Sequence, residues 1–200
     1  MSQRRVVTEQ DVLAVGPGGV LQVPEDSLIT ALARETAAAR GVRLIVGGGM
    51  RRQVIGIGAD HGGYEMKEQL KPWLEDLGYS CRDFGTHSTV PVDYPDVAFL
   101  VARAVAAGEC DGGVILDGAG IGSCMVANKV PGVRAAMCYD TATAKNSREH
   151  NYANVLTLGA RLLDLARVKE VTQTWLSTPY GEERHGRRVR KIMDVEKRFL

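Results

Sequence analysis

From Gln53 onward, short apolar runs alternate with runs of helical period, and this alternation limits the possible folds more than any other property of the chain. Val54-Ile55-Gly56-Ile57 reads as a strand. Gly63 to Leu77 reads as a helix with Met66, Leu70, Trp73, Leu74 and Leu77 on one stripe. Tyr79 to Phe84, Gly113 to Leu116, Arg134 to Cys138 and Asn154 to Leu158 read as four further strands. Between and after them, Tyr94 to Ala107, Gly122 to Lys129, Thr141 to Glu149, Asp164 to Leu176 and Glu183 to Phe199 read as helices. Strands that alternate with helices predict a parallel sheet covered on both faces. The fold class is therefore α/β, a three-layer sandwich around a five-stranded parallel sheet. Ligands of such sheets bind outside the carboxyl ends of the strands. That rule puts Asp60-His61, Asp117 to Ser123 and the segment after Cys138 on one rim.

The most informative stretch on that rim is Asp117-Gly118-Ala119-Gly120-Ile121-Gly122-Ser123. It leaves an apolar strand and enters a helix beginning Cys124-Met125-Val126. Three glycines at alternate positions let the backbone turn sharply and approach a ligand. Their N–H groups and the helix start form an anion cradle. A carboxylate, Asp117, stands beside it. That pairing predicts proton transfer on an anionic substrate.

A net charge of +1 over 200 residues gives no global attraction to nucleic acid or an anionic membrane. No apolar run reaches spanning length, and the polar N-terminus lacks the apolar centre of a secretory signal, which predicts a cytoplasmic protein. Cys81, Cys110, Cys124 and Cys138 have no metal-binding or redox spacing and read as reduced thiols. Gly47-Gly48-Gly49 is a break, so residues 1–49 are expected to form an N-terminal extension and residues 50–200 the main domain.

The main domain resembles the ribose-5-phosphate isomerase B / galactose-6-phosphate isomerase family of sugar-phosphate isomerases. The resemblance covers residues 53 to about 195 and rests on motifs in family order. They are Gly58-Ala59-Asp60-His61-Gly62-Gly63-Tyr64, Asp93-Tyr94-Pro95 and the glycine loop with Ala127-Asn128-Lys129-Val130-Pro131-Gly132. Ser147-Arg148-Glu149-His150-Asn151, Leu158-Gly159-Ala160-Arg161 and Arg184-His185-Gly186-Arg187-Arg188 follow. The resemblance implies a Rossmann-like fold. It also implies aldose–ketose isomerisation of a small sugar phosphate, ribose 5-phosphate first, through an enediolate and without metal or organic cofactor. Asp60 and His61 match the pair at the sugar and phosphate, and Tyr94 a residue lining the sugar pocket. His150 matches the ring-opening histidine, with Asn151 beside it. Arg161, Arg184 and Arg188 match phosphate-binding arginines. Backbone amides of Gly118, Ala119, Gly120, Ile121, Gly122 and Ser123 are the expected oxyanion donors. A site shared across a homodimer, alone or paired into a tetramer, is implied as well.

The chain departs from the family at the catalytic base. Many members carry Cys-Gly-Thr-Gly-x-Gly, with cysteine as base and threonine assisting; Asp117 and Ala119 stand there. Others use a glutamate six residues after the cysteine position, which is Ser123 here. Asp117 is the expected base, since burial makes a carboxylate more basic. The alternatives are Cys124 at the helix start, another base, or a non-catalytic partner subunit of a paired isomerase. Some galactose-6-phosphate isomerase subunits also carry Asp at this position, so another four- to six-carbon sugar phosphate is the alternative substrate.

Blander roles remain for single residues: Asp117 as a turn cap, His61 and His150 as structural histidines, His87 as a solvated surface residue. His185 is divided between phosphate contact and surface. A nucleotide-binding module fits poorly, because the glycine spacing is wrong. The basic run Arg184 to Lys191 is flanked by acids, which argues against RNA. In the extension, a helix start at Thr8-Glu9-Gln10-Asp11, a strand Val20 to Val23 before Pro24, a helix Ser27 to Arg40 and a strand Val42 to Val46 are expected. Leu28, Leu32, Thr36 and Ala39 would lie on one stripe of that helix, a face that could dock on a partner. This small α/β unit resembles N-terminal segments of bacterial microcompartment enzymes, which implies shell proteins as partners and a microcompartment lumen as location. A subdomain packed on its own enzyme is the other reading.

Overall fold

The computed structural model describes residues 5–23, 27–46 and 52–199. The chain forms two compact units, residues 1–52 and 53–200, and the Gly47–Gly49 break lies outside the described residues.

The first unit contains β1 (Val6–Val7), α1 (Glu9–Leu13), β2 (Val20–Val23), β3 (Leu28–Ile29), α2 (Ala31–Arg40) and β4 (Arg43–Val46). The strands pair in parallel, β1 with β3 and β2 with β4. Asp11 closes a capping box on Thr8 and fixes the start of α1. Val7, Val12, Val23, Ala33, Ala37 and Val42 make the small core. Two expectations need correction. Leu28 is in β3, not helical, because Leu28 and Ile29 pair with Val6 and Val7. The Thr30 hydroxyl then accepts from Ala33 N–H and starts α2 at Ala31, so Ala33 and Ala37 face inward while Leu28 and Leu32 are more than half exposed.

The second unit contains β5 (Val54–Ala59), α3 (Tyr64–Asp76), β6 (Ser80–Asp83), α4 (Tyr94–Ala106), β7 (Gly112–Asp117) and α5 (Ile121–Ala127). It continues through β8 (Ala135–Met137), α6 (Thr141–Asn151), β9 (Val155–Gly159), α7 (Leu165–Ser177) and α8 (Glu183–Glu196). All five strands run parallel in the order β6-β5-β7-β9-β8. Successive strand residues point to opposite faces, so Val114 and Leu116 enter one core and Ile115 the other. Leu70 and Leu74 of α3 and Val168, Val171 and Trp175 of α7 cover the first face. Ala98, Val101 and Ala102 of α4 and Ala127 of α5 cover the second. The chain winds from β5 to β6 on one side and then to β7 on the other. That reversal opens a crevice between the carboxyl ends of β5 and β7. Asp60 follows β5, and Asp117 ends β7.

One helical position breaks the amphipathic pattern. Lys67 on α3 is fully buried, and its ammonium lies 2.6 and 2.8 Å from the Asp83 carboxylate and 2.7 Å from Glu68. Lys71 bridges the same two acids at 2.7 and 2.8 Å. Burial alone would push the Asp83 carboxyl up; both lysines and the Gly85 N–H outweigh it and hold the carboxyl below its usual range. Among the described residues, no helix is long and apolar enough to cross a membrane.

Candidate active site

Two turns hold the acidic side of the crevice together. After β5, Asp60 Oδ1 accepts from the N–H groups of Gly62 and Gly63, both at 2.9 Å, and so caps the entry to α3. After β7, Asp117 is almost completely buried, at 4% exposure. Its Oδ1 accepts from Ala119 N–H at 2.8 Å and from Gly120 N–H. Its Oδ2 accepts from Ser123 N–H at 3.0 Å and from the Ser123 hydroxyl. A carboxylate has about four lone-pair sites, so these four donors fill it. Gly120 takes a left-handed φ of +78°, which only glycine adopts without strain and which aims its N–H inward. The Thr157 hydroxyl of β9 holds the Gly120 carbonyl at 2.8 Å.

The glycine loop thus differs from the expected open cradle. Three of its amides are taken by the chain's own Asp117. The N–H groups of Ile121 and Gly122, in the first turn of α5, have no carbonyl behind them and make no hydrogen bond within the described chain. With Gly118 N–H, they are the loop amides that Asp117 leaves unused.

The loop from β6 to α4 forms the wall. Gly85 and Thr86 hydrogen-bond to both sides of Ala59, each at 2.7 Å. His61 Nδ1 stands 3.3 Å from both the N and the O of Val92. Tyr94 at the start of α4 packs against Gly122: a methyl group there would stand 2.5 Å from the ring. Arg161, in the turn after β9, donates its N–H to Gly118 O at 3.1 Å. Its side chain runs beside Gly118 and Gly62. Asp60, His61, Tyr94, Asp117 to Ser123 and Arg161 therefore form one cluster.

The remaining expected residues form a second cluster at the end of α6 and the start of α8. His150 stacks on His185 with ring centroids 4.2 Å apart and planes 6° from parallel. Its Nδ1 lies 3.0 Å from Asn146. Asn151 is the exposed last residue of α6. Arg184 donates to His185 Nε2 at 3.2 Å, and Arg188 is exposed one helical turn on. His185 is 5% exposed, which removes the surface reading. Burial first, then the charges of His150, Arg184 and Arg188, push its imidazole below the usual range. Its placement had a signal that sequence reading missed: His185 and Val189 share the inner stripe of α8 at helical spacing. No hydrogen bond, ion pair or ring contact joins the two clusters among the described residues.

Cys124 is corrected as well. Burial raises its thiol above the ordinary value, and Sγ–H points to Ala135 O at 3.5 Å. Both features disfavour the thiolate that a base would need. All four cysteines are free. The His87 side chain is three-quarters exposed, as expected.

This arrangement has known counterparts. A family model described as ribose/galactose isomerase matches residues 55–192. The chain is 40% identical over 144 residues to ribose-5-phosphate isomerase B of Escherichia coli, covering 72% of this chain and 97% of that protein. It is 39% identical over 140 residues to D-erythrulose-4-phosphate isomerase of Pectobacterium atrosepticum, covering 69% and 91%. The solved structure of Clostridium thermocellum ribose-5-phosphate isomerase B superposes with a TM-score of 0.73 at 47% identity, covering 74% of this chain and 100% of that one. With its motifs, sheet order and crevice accounted for, the chain belongs to the ribose/galactose isomerase family and is a sugar-phosphate isomerase.

Proposed function

We propose that this isomerase interconverts ribose 5-phosphate and ribulose 5-phosphate, with Asp117 as the carbon-acid base. The observation that carries the reading is the buried Asp117 carboxylate at the switch point, next to the two free N–H groups of α5. Asp117 takes the proton from C2, and the C–H electrons form the C1–C2 double bond of an enediolate. The charge arriving on O1 meets Ile121 and Gly122 N–H, fixed donors that need no reorganisation. The proton then returns to C1, and the O2 hydroxyl proton passes to O1. Three of the donors on Asp117 are fixed backbone amides; only the Ser123 hydroxyl can rotate away. The lone pair that receives the proton is therefore the one Ser123 now fills.

Ring opening and phosphate binding use the second cluster. His150 is the acid–base group for the ring. Arg161, with Arg184 and Arg188, holds the phosphate by charge-assisted forks. The two clusters meet when two chains pair, so the partner's His150, Arg184 and Arg188 complete the crevice. Ile121 and Met125, 46% and 63% exposed on the α5 face beside the loop, support such a covering surface. The chain should convert ribose 5-phosphate to ribulose 5-phosphate with a chelator present. The assay runs over four-, five- and six-carbon sugar phosphates, because a similar protein is an erythrulose-4-phosphate isomerase. Turnover of none of them would defeat the reading, and strong preference for another would reassign the substrate.

The first unit is proposed to direct the enzyme to a microcompartment. It has its own core, as a detachable unit requires. A chain starting at Met50 should keep its rate constants, and residues 1–47 fused to a fluorescent protein should co-localise with shells. A diffuse fusion together with an insoluble truncated enzyme would favour a packing role.

A further inference from the structure

Lys67 takes no part in the chemistry above, yet it is the one fully buried ammonium among the described residues. Taking a charge out of water costs several kcal/mol, and a buried ion pair seldom returns more than an apolar residue of the same shape would. Such a pair is better placed to select one geometry than to stabilise the fold. The bonds show which geometry. Asp83, held by Lys67 and Lys71, accepts from Gly85 N–H at 2.9 Å. Gly85 and Thr86 then lock onto Ala59, the last residue before Asp60. The same loop continues to Val92, against His61, and to Tyr94, against Gly122. The links from Lys67 to Ala59 are direct hydrogen bonds, and the loop itself carries the path on from Thr86 to Val92 and Tyr94.

We propose that Lys67 is a positioning residue: acting through Asp83, it fixes residues 84–93 so that His61 and Tyr94 stand at the sugar phosphate. Lys71 and Glu68 complete a neutral square of two cations and two anions, which limits the electrostatic cost. The Asp117 carboxylate shares no hydrogen bond with this square, so the square does not set the position of the base.

The inference rests on the isomerase reading for its kinetic part only, and its test has an arm that needs no turnover. In Lys67→Met the side chain keeps most of its length and loses its charge. Amide hydrogen exchange at Thr86 and Val92 should accelerate by about tenfold or more, while exchange at Ser123 stays as in the unaltered chain. In turnover of ribose 5-phosphate, KM should rise by about tenfold with kcat changed less than about threefold, the mark of a displaced binding wall. If Lys67→Met fails to fold, Asp83→Asn, which keeps an acceptor for Gly85 N–H, should give the same pattern to a smaller degree. Unchanged exchange at Thr86 and Val92 in a folded variant would overturn the proposal. So would a variant of lower stability whose KM and kcat match the unaltered chain. Absence of turnover in the unaltered chain would defeat the isomerase reading and leave the exchange result standing.

Discussion

Asp117→Asn should lower kcat by about a hundredfold or more, the low end of what a positioned base contributes. It should also suppress incorporation of solvent deuterium at C2 of the substrate. Asparagine has nearly the shape of aspartate but cannot take the proton. It also replaces an acceptor oxygen by an NH2 group that faces Ala119 and Gly120 N–H or, turned the other way, Ser123 N–H, while the Ser123 hydroxyl can rotate to accept. A backbone N–H left facing another donor in a buried site costs about 1–3 kcal/mol. Some loss of thermal stability is therefore expected whatever the role of Asp117, and rate alone does not decide. The C2 exchange decides: a variant that still washes deuterium into C2 at a near-normal rate has another base. Retained binding of inorganic phosphate separates loss of chemistry from loss of the site, because the proposed phosphate ligands Arg161, Arg184 and Arg188 lie outside the Asp117 hydrogen bonds.

The sheet and its helices were legible because a strand buried on both faces must be apolar throughout, and a helix laid on it must be apolar on one stripe. Val114, Ile115 and Leu116 show the first pattern, and Leu70 and Leu74 the second. The two-residue strands β1 and β3 carry no period at all; their pairing is a tertiary event. The inner face of α2 was not legible because Ala33 and Ala37 are buried by close approach, not by hydrophobicity, while the larger Leu32 stays out. Lys67 was invisible for a related reason. A lysine reads as solvent-facing, and only the arrival of Asp83 from another strand makes its burial affordable. At the site, the family motifs named the residues but not their grouping. The turn cap at Asp117 was legible, since aspartate ahead of glycines bonds its own turn; that its second oxygen also takes Ser123 N–H and hydroxyl depends on a side-chain rotamer, which neither composition nor spacing gives.

Mixing two inactive variants should restore activity. His150→Ala lacks the ring-opening group, and Asp117→Asn lacks the base, so each alone should turn over cyclic ribose 5-phosphate poorly. His150 has its hydrogen bond to Asn146 and its stack on His185, whereas the Asp117 carboxylate is bound wholly within residues 117–123. If each crevice takes Asp117 from one chain and His150 from its partner, a hybrid dimer has one site with both groups intact and one with neither. Random reassortment makes about half of the dimers hybrids, each with one working site of two. The mixture should then reach about a quarter of unaltered activity in a symmetric two-chain enzyme. The chains must be unfolded and refolded together, or co-expressed, so that subunits exchange. If both groups served one site within the same chain, every site in every hybrid would lack one of them, and mixing would restore nothing. The His150→Ala variant adds an internal control. It should lose far more activity on a sugar phosphate that cyclises than on one that cannot, because only the first needs its ring opened. Equal losses on both would move His150 out of ring opening even if complementation succeeds, leaving it a binding group contributed across the dimer.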